Sequence, residues 1–156
     1  MSEMKFLGTV RYAEGRAVQD EYVRRRVAGD CPDTFLFCEH PPTITLGRRT
    51  KPKDIQADDA RFREIEIVEV DRGGGPTYHG PGQLVLYPVL SLREHGFGVR
   101  RVIDELLGSV AHLLNGFGLS SSEIGFTPPG IWWHGATQPA KIASIGLRII
   151  SGVTNH

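Results

Sequence analysis

The sequence predicts an α/β fold of the α+β kind, a mixed sheet with flanking helices, and three observations carry that expectation. Val99, Val102, Ile103, Leu106, Leu107, Val110, Leu113, Leu114 and Phe117 recur at helical spacing, the pattern of a helix with one core-facing stripe. Short runs rich in Val, Ile and Leu, such as residues 65–70 and 84–90, lie between stretches of glycine and proline, as strands lie between loops. The order of segments mixes hairpin-like strand pairs with two long helices instead of alternating strand and helix regularly, which favours a mixed sheet over βαβ repetition.

Taken in order, residues 4–10 read as a first strand and residues 12–28 as a helix of good helix formers whose apolar stripe is broad. Asp30, Pro32 and Asp33 break that helix. Residues 34–38 form a short, nearly all-apolar strand of the kind buried on both faces. His40-Pro41-Pro42 turns the chain, and His40 would fix that turn. Residues 43–46 alternate as a strand, and 47–54 form a polar loop suited to an exposed rim. A single helical turn is expected at 58–62. The strand at 84–90 contains Pro88, where it should end or bulge because proline donates no ladder hydrogen bond. Gly116 and Gly118 end the helix over 99–117. Residues 120–123 begin a return to the core, Thr127-Pro128-Pro129-Gly130 turns into Ile131-Trp132-Trp133, and 141–150 is strand-like with Ile145, Leu147 and Ile149 alternating.

With 156 residues the chain has the length of a single domain with a sizeable core. Equal numbers of acidic and basic residues, 18 of each, leave no net field, which argues against general nucleic-acid binding. Two basic groups stand out, Arg24-Arg25-Arg26 and Arg48-Arg49. Each reads as a solvated helix face or turn, or as a surface for an acidic carrier protein. Cys31 and Cys38 are too few for a disulfide framework, and the histidines do not fall at zinc spacing. No apolar run approaches the length of a membrane span, no signal peptide is visible, and a reducing cytoplasm is the expected compartment.

The stretch richest in chemistry is Arg72-Gly73-Gly74-Gly75-Pro76-Thr77-Tyr78-His79-Gly80-Pro81-Gly82-Gln83. Consecutive glycines allow positive φ and let backbone N–H groups approach a ligand closely, where they can hold a carbonyl or an oxyanion. The run carries more polar side chains than a hairpin turn needs. It matches neither phosphate-binding glycine pattern, G-x-x-x-x-G-K-[ST] or G-x-G-x-x-G opening a helix.

Arg72-Gly73-Gly74, Thr77-Tyr78-His79, Gly82-Gln83 and Tyr87, together with Glu39-His40-Pro41-Pro42-Thr43-Ile44-Thr45-Leu46-Gly47 and Lys141-Ile142-Ala143-Ser144-Ile145-Gly146, resemble the signature of the lipoyl(octanoyl) transferases, also called lipoate-protein ligase B. The resemblance runs from Tyr12 to His156. It implies the fold of the biotin and lipoate protein ligase catalytic domain, related to class II aminoacyl-tRNA synthetases. It also implies transfer of an octanoyl group from acyl carrier protein, through a thioester on a cysteine, to a lysine of a lipoyl domain in 2-oxoacid dehydrogenases or glycine cleavage H protein. Such a reaction takes no cofactor, metal or ATP, because a thioester is already activated; neither a nucleic acid nor a membrane is an expected partner.

By the same resemblance Lys141 is the catalytic lysine, beside the cysteine nucleophile whose thiolate its ammonium would stabilise, or the base for the incoming amine. Read without the family, a lysine at a strand start is solvated. Arg72, Gly73, Gly74, Gly75, Pro76, Thr77, Tyr78 and His79 would bind substrate, with Ser144, Ile145 and Gly146 around the acyl thioester and His79 near its carbonyl. Tyr78 and Tyr87 would line an acyl channel or pack their rings in the core. Cys31 is flanked by Asp30 and Asp33 and Cys38 lies in an apolar run, so neither suits a nucleophile. The family's cysteine lies beyond the Lys141 motif. The expectation is therefore a member lacking its nucleophile and its C-terminal part, with an exposed sheet edge. Two rivals remain: an ATP-dependent lipoate or biotin protein ligase, which tends to carry His-Asp-x-Gly-Asn where this chain has His79-Gly80-Pro81-Gly82-Gln83, and a non-catalytic module that binds an acyl chain or lipoyl domain.

Overall fold

A computed structural model describes residues 2–54, 64–120, 124–126, 130–135 and 137–156. In chain order the elements are β1 (Glu3–Thr9), α1 (Tyr12–Ala28), β2 (Thr34–Glu39), β3 (Thr43–Leu46), a 3-10 turn (Pro52–Asp54), β4 (Glu66–Glu69), β5 (Pro76–His79), β6 (Val85–Val89), α2 (Leu92–His95), α3 (Val99–Gly116), β7 (Ile124–Phe126), β8 (Gly130–Trp133), β9 (Ala140–Ser144), β10 (Arg148–Ile150) and β11 (Val153–Asn155). They fall into two compact units, one formed by Met1–Arg93 with Leu147–His156 and the other by Glu94–Gly146. The turn expected at 58–62 lies outside the described residues, as does most of 120–123 and of the Thr127–Gly130 turn. No helix among the described residues is long and apolar enough to cross a membrane.

The first unit holds two three-stranded sheets of mixed sense. In one, β1 runs parallel to β2, and β2 runs antiparallel to β6. In the other, β4 runs parallel to β3 and β5 antiparallel to it. The hairpin of β10 and β11 joins the first sheet's side through a bridge from Ser91 to Val153. Val23, Leu36, Cys38, Tyr87, Val89 and Val153 make its buried core.

Helix α1 has the bounds expected of it and a reason for its blurred stripe. Its buried residues, Tyr12, Gly15, Gln19, Val23 and Arg26, recur at helical spacing, but two of them are polar. Gln19 accepts from the His156 backbone N–H, and Arg26 donates to Asp33 at 2.7 Å. The helix ends at Gly29 with φ +83, from which the Gly29 and Asp30 N–H groups return to the Arg26 and Arg25 carbonyls, the αL closure that glycine permits without strain.

Strand β2 departs from the expectation of burial on both faces. Thr34, Leu36 and Cys38 are buried while Phe35 and Phe37 are only partly so, and Phe37 stacks on the exposed Phe6 ring at 5.0 Å. Pro88 neither ends nor bulges β6; it sits opposite Phe35 in unbroken register. Its carbonyl accepts from Thr154 Oγ1, so the backbone polar groups of Pro88 face away from β2 and no β2–β6 ladder bond is lost.

In the second unit α3 covers the antiparallel sheet β7–β8–β9. Leu107, Ile124 and Ile131 are buried there, with Ile103, Val110, Leu114 and Ile145 packed against them. The expected stripe is thus a core face over its middle, whereas Val99, Leu113 and Phe117 are exposed. The strand expected over 141–150 is two strands: β9 belongs to the second unit and β10 to the first.

Candidate functional site

The glycine-rich run is built around Arg72. Only 7% exposed, its guanidinium donates through Nη1 to the carbonyls of Gly73 and Gly75, and through Nη2 to the carbonyl and hydroxyl of Thr45. Burial lowers its pKa. These four hydrogen bonds all stay within the protein, so Arg72 shapes the loop from inside. Gly74 takes φ +92, where a side chain is strained. Gly47 is the second required glycine, because an added Cβ would lie within 2.8 Å of Arg72 Nη1 and closer still to the Gly74 carbonyl oxygen. The turn after β3 is tied to the same loop, with backbone N–H groups of Arg48 and Arg49 donating to the Arg72 and Gly74 carbonyls at 3.2 and 3.0 Å.

The second half of the run is a strand. Pro76, Thr77, Tyr78 and His79 pair with Leu46, Thr45, Ile44 and Thr43, so the turns are confined to the glycines on either side. Side chains alternate along β5: Tyr78 is 50% exposed, whereas His79 turns inward. His79 Nδ1 lies 2.8 Å from Gln83 Oε1, an acceptor, so the ring proton sits on Nδ1 and Nε2 faces Thr45 Oγ1 at 3.4 Å. Burial pushes the pKa of His79 down.

His79 belongs to a cluster of rings with Tyr12, His40, Tyr87 and His156, whose neighbouring centroids are 5.4 to 6.5 Å apart. His40 is fully buried. Its Nδ1 faces the Val10 carbonyl at 2.8 Å, which fixes the proton there, and Nε2 accepts from the Tyr87 hydroxyl at 2.7 Å. Burial raises the pKa of Tyr87 and Tyr12 and lowers that of His156 to about 4. Arg16 Nη1 donates to His156 Nε2 at 2.8 Å, a bond that requires the neutral imidazole. The two alternatives for Tyr87 resolve as a buried ring with a hydrogen-bonded hydroxyl, and His40 is a hub and not only a turn residue. Tyr12, Arg16 and His156 were not singled out for chemistry from the sequence. Tyr12 and Arg16 lie one helical turn apart on α1, but no spacing links them to His156, which follows β11, or to His79 on β5 and Tyr87 on β6.

A cavity of about 680 Å³ lies beside the loop, lined by Arg16, by residues of 46–52 and by Glu69, Val70 and Asp71. Its wall includes the residues that lead into the glycines.

Of the remaining predicted residues, Lys141, Ser144, Ile145 and Gly146 lie in the second unit. Lys141 is exposed on β9, with Nζ 4.9 Å from the centre of the Trp132 ring. Both cysteines are free and buried. Burial raises the thiol pKa of Cys31 and pushes that of Cys38 up to about 11, which keeps both protonated and unreactive. Among the described residues no group of histidine, cysteine and carboxylate side chains is placed to hold a metal ion.

The model of the lipoyl protein ligase A/B catalytic domain matches residues 11–156. An octanoyltransferase of Chloroflexus aggregans is 42% identical over 154 residues, covering 96% of this chain and 68% of the relative. The mitochondrial octanoyltransferase LIP2 of Arabidopsis thaliana is 37% identical over 152 residues, covering 96% and 63%. Among solved structures, a bipartite lipoate protein ligase of Thermoplasma acidophilum superposes with a TM-score of 0.73 at 16% identity, covering 98% of this chain and 58% of its own. A lipoate-protein ligase A bound with ATP gives 0.67 at 16% identity, covering 99% and 64%. The chain thus spans about two thirds of the length of these relatives.

Proposed function

Because the chain belongs to the lipoyl protein ligase A/B catalytic-domain family, we propose that it is an octanoyltransferase of lipoate biosynthesis, an acyltransferase that modifies proteins. The observation carrying this reading over the ATP-dependent ligase is the contrast in likeness. The octanoyltransferases of Chloroflexus aggregans and Arabidopsis thaliana share 42% and 37% of its residues, whereas the two ligases named above share the fold at 16% identity. Residues 1–156 are read as a single catalytic domain. The donor is octanoyl-acyl carrier protein and the acceptor a lysine of a lipoyl domain, of 2-oxoacid dehydrogenases or glycine cleavage H protein. A cytoplasmic location goes with that reading, since donor and acceptor are water-soluble proteins.

In the reaction the acyl group passes from the donor thioester, whose C–S bond breaks and whose thiol leaves, to the thiolate of a cysteine other than Cys31 and Cys38, and attack by the lysine amine on that second thioester forms the amide and releases the cysteine thiol. No phosphate chemistry is needed. In the Gly73 to Gly75 loop shaped by Arg72, the Gly73 N–H is held by the Leu147 carbonyl, and the N–H groups of Gly74 and Gly75 are those offered to the thioester carbonyl as it becomes an oxyanion. His79, held neutral with its proton on Nδ1, accepts at Nε2 and orients that loop. Lys141 is the catalytic cation, with Ser144, Ile145 and Gly146 beside the acyl group. Cys31 and Cys38 are both too buried and too basic to carry the intermediate.

The test is intact mass of a lipoyl domain after incubation with this protein and octanoyl-acyl carrier protein, with and without ATP and magnesium. An octanoyl adduct formed without ATP supports the reading; modification only with free octanoate and ATP replaces it by the ligase. A stable thioester on Cys31 or Cys38 would overturn the assignment of those two residues.

A further inference from the structure

The loop after β3 carries Arg48, Arg49, Lys51 and Lys53 within six residues, all exposed. They face a single carboxylate in the same stretch, Asp54, which accepts the Lys51 backbone N–H at 2.8 Å. The protein as a whole carries no net charge, so this is a local feature.

The basic groups of the helices α1 and α3 and of β10 are largely engaged. Arg24 pairs with Glu21, Arg25 lies over the Tyr22 ring and Arg26 is buried against Asp33. On α3, Arg100 and Arg101 pair with Asp104 and Glu105. Arg148 pairs with Asp71. Among the described residues the four cations of 48–53 have no carboxylate within ion-pair distance.

Their position is also fixed. The N–H groups of Gly47, Arg48 and Arg49 donate to the carbonyls of Gly75, Arg72 and Gly74 at 3.4, 3.2 and 3.0 Å, so the backbone that displays the cations is bonded to the glycine loop. Arg48 and Lys51 stand at the wall of the 680 Å³ cavity, while Arg49 and Lys53 do not line it.

We propose that the 48–53 loop is the docking surface for the acidic face of the acyl carrier protein that delivers the octanoyl group. This rests on the octanoyl-transfer reading. A strip of cations without a carboxylate partner among the described residues steers an anionic partner and orients it. Because the strip is hydrogen-bonded to the glycine loop, a carrier seated there presents its thioester arm to the residues that hold the acyl carbonyl. Exposed charges of this kind act on encounter and are screened by salt: the Debye length shrinks from about 30 Å at 0.01 M to about 8 Å at 0.15 M.

The test measures the Kd of octanoyl-acyl carrier protein and of a lipoyl domain for the wild type and for R49E/K53E, from low to physiological salt, with octanoyl transfer from an uncharged octanoyl N-acetylcysteamine thioester followed in parallel. R49E/K53E weakens carrier binding about tenfold at low salt, the gap narrows as salt rises, and lipoyl-domain binding is unchanged. R49K/K53R, which keeps the charges, binds the carrier as the wild type does, and equal melting temperatures exclude misfolding. Carrier binding indifferent to R49E/K53E, absent from the wild type, or lost together with lipoyl-domain binding overturns the inference. The small thioester separates the two readings. Its transfer by the wild type upholds the octanoyltransferase assignment whatever the carrier does, whereas modification of the lipoyl domain only with free octanoate and ATP, with salt-dependent carrier binding intact, counts against that assignment alone.

Discussion

Arg72 makes four hydrogen bonds from one guanidinium, all to Thr45 and to the loop carbonyls. Arg72→Met removes the donors and leaves those acceptors unpaired, so it costs about 3 kcal/mol in a urea titration. Arg72→Lys keeps the charge but lacks the planar fork, and most of that loss remains. At Gly74, φ +92 makes a β-branched side chain costly by roughly 1–3 kcal/mol, and Gly74→Val should abolish binding of an octanoyl analogue while the protein still folds. Normal analogue binding by that variant would reduce the loop to a turn. The buried imidazoles give a pH dependence of definite sign. His79 and His156 have folded pKa values below the unfolded value of 6.5, His156 at about 4. Between those limits the unfolded chain binds protons that the folded one does not, so stability is full above 6.5 and falls as the pH drops toward 4. At about 1.4 kcal/mol per pH unit, His156 alone contributes a loss of order 3 kcal/mol. H156Q should flatten the slope of melting temperature against pH over that window; an unchanged slope would assign it elsewhere.

At the scale of elements, α1 and β5 carry the argument. The face that α1 buries includes Gln19 and Arg26, and its stability depends on the pairing of Arg26 with Asp33, whose side chains are 6% and 10% exposed. Arg26→Met keeps the aliphatic packing but leaves a buried carboxylate and should cost about 3–5 kcal/mol, whereas R26M/D33N, which removes both charges, should recover much of it. Chemical denaturation of the two variants distinguishes this from simple loss of helix packing, which would make them equal. Strand β5 shows how pairing overrides local composition: a stretch flanked by five glycines is strand over Pro76–His79 because β3 offers a matching edge. That register turns His79 inward toward Thr45 and leaves Tyr78 out.

For the whole molecule, the fold is common to ligases and octanoyltransferases, so fold alone does not choose between their chemistries; particular residues do. Lys141 is the sharpest case. Lys141→Ala should lower octanoyl transfer by more than a hundredfold, as loss of a catalytic group commonly does, and leave the melting temperature within about 0.5 kcal/mol equivalents, since the side chain is exposed. Transfer at the wild-type rate would return Lys141 to the solvated role that its position on β9 otherwise suggests.

Much of this protein was legible without coordinates. Periodicity located α3 and most strands, and a run of good helix formers closed by Asp30, Pro32 and Asp33 located α1, because spacing and propensity are local properties of the chain. The glycine run announced a loop with positive φ, and the order of motifs from Tyr12 to His156 announced the family. What local pattern does not contain is which distant residues meet. The spacing of Pro88 forbade an interior ladder bond, yet only the placement of β11 against Leu90 and Pro88 showed that none was required. The Arg72 motif suggested a ligand for the guanidinium, and only the pairing of β3 with β5 showed that Thr45 and the loop carbonyls occupy it. Tyr12, His40, His79, Tyr87 and His156 are separated by up to 144 residues, and no period relates them. Their rings meet because two sheets and one helix converge there, and burial among them, more than residue type, holds the imidazoles of His79 and His156 neutral and the hydroxyls of Tyr12 and Tyr87 protonated.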